Sequence, residues 1–161
     1  RESLLDCQTR LGLMLPYALV ELLRTQNGGF INYNLLPLIT PTPWGEDELD
    51  LYLIPGISAQ EPKHCGLSNF QINWIFGSDP GDDRMNALRR RVGNPQHIVP
   101  LERDAHCLIA LDYRKNPFNV NPPVIWMSTD DDCEFIEIAQ DFETLLCQLR
   151  KRPQSDPPFA C

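Results

Sequence analysis

The chain has 161 residues, 42% hydrophobic and 22% charged, which is ordinary for one globular domain with a sizeable core. A net charge of −8 argues against nucleic acid as a partner, because that affinity comes largely from Lys and Arg neutralising phosphates. No window approaches the ~18 consecutive apolar residues of a membrane span, and 15 prolines imply many rigid turns.

Glu2 to Leu11 reads as the back part of a helix, with Leu4, Cys7 and Leu11 on one face and Gly12 ending it. A second helix follows. Leu15, Ala18, Leu19, Leu22 and Leu23 recur at i, i+3, i+4, i+7 and i+8, and Pro16 suits its first turn. Asn27-Gly28-Gly29 can close it with a left-handed cap. A phosphate loop would place its glycines before a helix, where free N–H groups meet the anion. Here they come after it, so the segment reads as a corner between a helix and a strand.

Phe30 to Leu36 reads as that strand, and Pro37, Pro41 and Pro43 break the pattern. Trp44 to Asp50 is an acidic loop, and Leu51 to Ile54 a second strand ending at Pro55-Gly56. Phe70, Ile72, Trp74 and Phe76 alternate within Ser68 to Phe76, a half-buried strand. After a turn at residues 77–81, Asp82 or Asp83 can cap a short helix running through Arg91. His97 to Leu101, Cys107 to Tyr113 and Val124 to Ser128 are three apolar strands, and Gln140 to Arg152 is a helix with Phe142, Leu145, Leu146 and Leu149 inward. The basic runs Arg89-Arg90-Arg91 and Arg150-Lys151-Arg152 complement helix C-terminal dipoles. The order describes an α+β single domain over residues 1–152, with a mainly antiparallel or mixed sheet, helices against it and a loose tail over 153–161. The expected core includes Leu19, Leu22, Leu23, Ile109, Leu111, Ile125, Phe142 and Leu146.

Six cysteines at 7, 65, 107, 133, 147 and 161 form no Cys-x-x-Cys pair. A domain of this size needs no staples, so reduced thiols, no disulfide and a cytoplasmic protein are expected. The start at Arg1 implies upstream residues. His64-Cys65 and His106-Cys107 contain zinc-ligand types, but neighbours on a strand point to opposite faces, so neither metal nor cofactor is expected. Asp130-Asp131-Asp132 with Glu134 could serve magnesium or acid–base chemistry, yet reads more simply as a solvated turn. Gly66-Leu67-Ser68-Asn69 starts a nucleophile elbow but Phe70 stands where its last glycine belongs. No catalytic residue is assigned, and the chain reads as a non-enzyme.

The order of these features resembles the SUKH superfamily, which includes Smi/Knr-type regulators of cell-wall glucan synthesis and bacterial toxin-immunity proteins. The likeness rests on Leu11-Gly12, Leu15-Pro16, the amphipathic helix and Asn27-Gly28-Gly29. It continues in the strand Leu108 to Tyr113 with its Leu-Asp-aromatic end, and in Pro123-Val124-Ile125-Trp126 followed by three aspartates. Ile138 to Leu146 looks like the closing helix of that superfamily. Asp104-Ala105-His106, where glycines are common, and the charged segment 77–95 depart from the pattern.

The resemblance implies a non-catalytic protein-binding module, most simply an immunity-type protein that covers a cognate toxin. A cytoplasmic regulatory scaffold is the alternative, and a small hydrolase using the Asp130–Asp132 carboxylates a third. Acidic groups speed encounter with a basic partner, and an exposed tryptophan can anchor it. The candidate partner-binding residues are therefore Glu46, Asp47 and Glu48 beside Trp44, and Asp130, Asp131 and Asp132 beyond Trp126.

Overall fold

The computed structural model describes residues 4–43, 45–57, 83–103, 106–128 and 134–153. The expected strand over Ser68 to Phe76 and the turn at 77–81 lie outside the described residues.

Helical spacing of apolar residues gives α1 (Leu4–Leu11) and α2 (Tyr17–Thr25). Their inward stripes bury Cys7, Leu11, Leu19 and Leu23. Leu22 was expected in the core but lies only partly buried at the edge of the stripe, which centres on Leu15, Leu19 and Leu23 at i, i+4 and i+8. Pro16 precedes α2 rather than opening it, and the Leu15 N–H beside it donates to Gln8 Oε1 at 2.8 Å.

The corner after α2 is structural. Gly28 and Gly29 take φ of +76° and +140°, and a Cβ on Gly28 would meet the Gly56 backbone. Asn27 clamps the same approach: its amide donates to the Ile57 carbonyl at 2.8 Å and its Oδ1 accepts from the Ile57 N–H at 2.7 Å.

The expected strand over Phe30 to Leu36 forms in two pieces, β1 (Gly29–Phe30) and β2 (Leu35–Pro37). They pair antiparallel with β4 (Leu53–Ile54) and β3 (Glu48–Asp50) respectively. Both pairings belong to one long hairpin, whose register changes by two residues between the Ile31 N–H···Tyr52 and Leu51 N–H···Asn34 bonds. Asn32 and Tyr33 are the inserted pair, and both are exposed.

The central sheet is an antiparallel meander of β5 (Ile98–Arg103), β6 (Cys107–Asp112), β7 (Val124–Ser128) and β8 (Phe135–Ala139), in that order. α3 (Asp83–Val92) precedes it and α4 (Phe142–Gln148) closes it. β8 was not foreseen. α4 is also shorter than the expected Gln140–Arg152 helix: Asp141 caps it by accepting from the Thr144 N–H at 2.7 Å, and Arg150 leaves it to pair with Leu35. The run Arg150-Lys151-Arg152 is therefore not a helix end.

One sheet face packs Val99, Leu101, Ile109, Leu111, Val124 and Trp126 against α1, α2, α4 and the hairpin. The other face buries Ile98, Leu108, Ala110, Ile125 and Met127 with Val92 of α3. Leu19, Leu23, Ile109, Leu111 and Phe142 lie in the first cluster as expected and Ile125 in the second, while Leu146 is only partly buried. Glu102 joins sheet and hairpin, its carboxylate accepting from the N–H groups of Tyr52 (2.5 Å) and Leu53 (3.3 Å).

Candidate functional site

The hairpin carries one predicted acidic patch outward. Beyond β2 and β3 the Leu38 N–H still donates to the Asp47 carbonyl at 2.7 Å, and Thr42 and Gly45 close the tip. Glu46, Asp47 and Glu48 are exposed beside that tip. At its base Arg152 pairs with Asp50 at 2.6 Å and approaches Glu48 at 3.9 Å, so part of the charge is compensated internally. The hydrogen bond to Asp50 holds Arg152 protonated beyond its usual range. Partial burial, then the Asp50 carboxylate, raises the Tyr52 phenol above its ordinary pKa.

The other candidates fare differently. Trp44 and Asp130, Asp131 and Asp132 lie outside the described residues. Trp126 is fully buried on the inner face of β7 and cannot serve as a surface anchor as expected. Its strand, β7, is apolar from Val124 through Met127 and ends at the buried Ser128, as fits a strand covered on both faces. Of the histidine–cysteine pairs, His64-Cys65 is not described, while His106 is exposed and Cys107 half-buried.

One polar constellation escaped the sequence reading. Asp112 and Arg114 flank Tyr113 at the end of β6, and a two-residue spacing puts them on one side of the chain. Arg114 donates to both Asp112 carboxylate oxygens at 2.8 Å and to the Val92 carbonyl at 3.1 Å, and its guanidinium lies 3.9 Å from the Phe135 ring centre. Burial opposes ionisation of Asp112, but the hydrogen bonds from Arg114 outweigh it and hold the carboxyl below its ordinary pKa. These groups satisfy one another, as a structural clasp does.

Two shallow clefts adjoin where the end of β2 faces β8 and α4. One, of about 310 Å³, lies between Leu38–Thr40 and Glu137–Gln140, and the other, of about 350 Å³, continues past Cys147 to Arg150. Gln148 lines both, and its Oε1 is buried with no hydrogen-bond partner among the described residues.

The sequence model of the SMI1 / KNR4 family (SUKH-1) matches residues 1–148. The chain belongs to that family. Membership agrees with the α+β architecture, with helices at both ends of an antiparallel sheet. SUKH-1 proteins are generally non-enzymatic, and membership supports an immunity or regulatory role exercised on another protein. Among the described residues of this SUKH-1 chain, no helix is long and apolar enough to cross a membrane. No curated protein and no solved structure matches the chain.

Proposed function

We propose that this SUKH-1 chain is a non-catalytic immunity-type module that neutralises a cognate toxin by binding it directly. The observation that carries this reading is the exposed trio Glu46, Asp47 and Glu48 on a hairpin anchored in the core, in a chain of net charge −8. Such a patch steers a basic partner, and a hairpin tip presents it with little ordering cost. The acidic run Asp130, Asp131 and Asp132 is proposed as a second partner-binding segment. A cytoplasmic scaffold would use this surface on a signalling protein instead.

The test is association with the product of the neighbouring reading frame, followed at two ionic strengths. Steered binding slows markedly as the Debye length falls from ~30 Å at 0.01 M to ~8 Å at 0.15 M salt. Glu46→Gln with Asp47→Asn, or the triple Asp130, Asp131 and Asp132 to Asn change, should lower the on-rate and flatten that dependence. Unchanged association in both variants would remove the acidic segments from the mechanism, and binding only to an endogenous signalling protein would favour the scaffold.

A further inference from the structure

The sheet has two edges, and they are finished differently. Beyond β5, the Glu102 carboxylate takes up hairpin N–H groups, and Pro100 interrupts the strand's own donors. At the opposite edge β8 pairs only with β7 among the described residues. The Ser128 N–H donates to the Glu134 carbonyl at 3.0 Å, and Trp126 stands opposite Ile136. Antiparallel pairs alternate, so Glu134 and Ile136 turn their backbone groups toward β7, and Phe135 and Glu137 turn theirs outward.

That edge borders a cleft and is mainly acidic: Glu134 and Glu137 are exposed, and the one cation on it, Arg114 over the Phe135 ring, is already paired with Asp112. Exposed Ile39 (91%) stands on the wall opposite Glu137–Gln140. From Asn116 to Leu149 the chain has seven carboxylates, at 130, 131, 132, 134, 137, 141 and 143, and no Lys or Arg. Arg150, at the far end of the adjoining cleft, is the nearest cation lining it.

We infer that the outer edge of β8 receives an extended, basic segment of the protein partner as an added strand. This rests on the protein-binding reading above. Backbone bonds at Phe135 and Glu137 supply the attachment, and Lys or Arg at alternate positions of the incoming strand sets its charge preference. A second copy is disfavoured, because the antiparallel register that sets Glu137 of one β8 edge opposite Glu137 of the other puts like charges face to face.

The probe is a capped heptapeptide alternating lysine and valine, compared with a glutamate–valine version and with one N-methylated along a single edge. Binding is followed by fluorescence anisotropy, and attachment by amide hydrogen exchange. The lysine peptide should bind at least tenfold more tightly than the glutamate peptide, and exchange at Phe135 and Glu137 should slow. Glu137→Lys should reverse the preference. Glu137→Pro, which deletes an outward N–H but no bond to β7, should weaken binding at least tenfold, with circular dichroism confirming the fold. N-methylation should abolish it. Binding that survives N-methylation, protection confined to other segments, or a dimer protected at β8 would each overturn the inference. If the cognate partner binds with Phe135 and Glu137 unprotected, the edge is wrong while the protein-binding reading stands. If the peptide adds to β8 but no toxin binds, the edge stands and the immunity reading fails.

Discussion

The Tyr113 hydroxyl donates to the Met14 carbonyl at 2.6 Å across 99 residues of sequence, tying the end of β6 to the turn between α1 and α2. Tyr113 is fully buried but Met14 is half exposed, so Tyr113→Phe removes one hydrogen bond whose acceptor water can still reach, and should cost about 0.5–1.5 kcal/mol in urea unfolding. Burial also pushes the phenol far above its usual pKa. Above about pH 10 the unfolded chain releases this proton while the folded chain keeps it, so stability is complete below that pH and declines above it by up to ~1.4 kcal/mol per pH unit. Tyr113→Phe should remove that share of the alkaline slope. An unchanged slope would show that the phenol is not the group responsible.

Asp112 and Arg114 should act in the opposite pH range. The Asp112 side chain is 8% exposed and that of Arg114 20%. Removing one partner of a fully buried pair costs ~3–5 kcal/mol, and the residual exposure of Arg114 brings the cost of Asp112→Asn toward ~2 kcal/mol. Because the folded carboxyl titrates below its ordinary pKa, its stabilisation is present above about pH 4 and lost as pH falls through the lower folded value. The Asn variant should therefore be weaker at pH 7 and show a shallower acid transition. Equal losses at pH 7 and pH 2 would argue against a charge-dependent clasp.

How far these features were legible depended on local patterning. The bounds of β7 match because a proline precedes it and an acidic stretch follows its five residues. Exposure of Glu46 and Asp47 was legible from their place between proline breaks and the apolar Leu49. β8 was missed because Ile138 and Ala139 were read with the helix after them. The signal was Asp141, whose capping side chain starts α4 at Phe142 and leaves Ile136 and Ile138 to a strand. The Asp112–Arg114 clasp had an available signal too, opposite charges two apart at a strand end. Pairing of Arg152 with Asp50 had none, since 102 residues separate them.

The glycine corner makes a paired prediction. Gly12 and Gly28 share left-handed φ values of +66° and +76°, but a Cβ on Gly12 meets nothing within 4 Å, whereas one on Gly28 meets Gly56 backbone. Gly12→Ala should cost only the conformational penalty of roughly 1–2 kcal/mol. Gly28→Ala must also part the corner from the Pro55-Gly56 turn and loosen the Asn27–Ile57 clamp, so its loss should be clearly larger. Thermal unfolding of both variants checks the difference. Equal losses would mean that the backbone approach at Gly56 yields easily.

Trp126 sets two costs against each other. It is fully buried in the main core, yet its indole Nε1 has no hydrogen-bond partner among the described residues. A buried donor left unsatisfied costs about 1–3 kcal/mol. Trp126→Phe removes that donor and keeps an aromatic ring, but opens space that destabilises by ~24 cal/mol per Å³ of residual cavity. The two effects are of similar size and opposite sign, so Trp126→Phe should change unfolding stability by less than about 1 kcal/mol. Trp126→Ala gains the same relief but loses most of the ring, and should cost roughly 3–5 kcal/mol. A loss above about 2 kcal/mol in the Phe variant would mean that the indole N–H makes a hydrogen bond in solution. Partner binding should survive Trp126→Phe unchanged, since the side chain offers no surface from which to touch a partner.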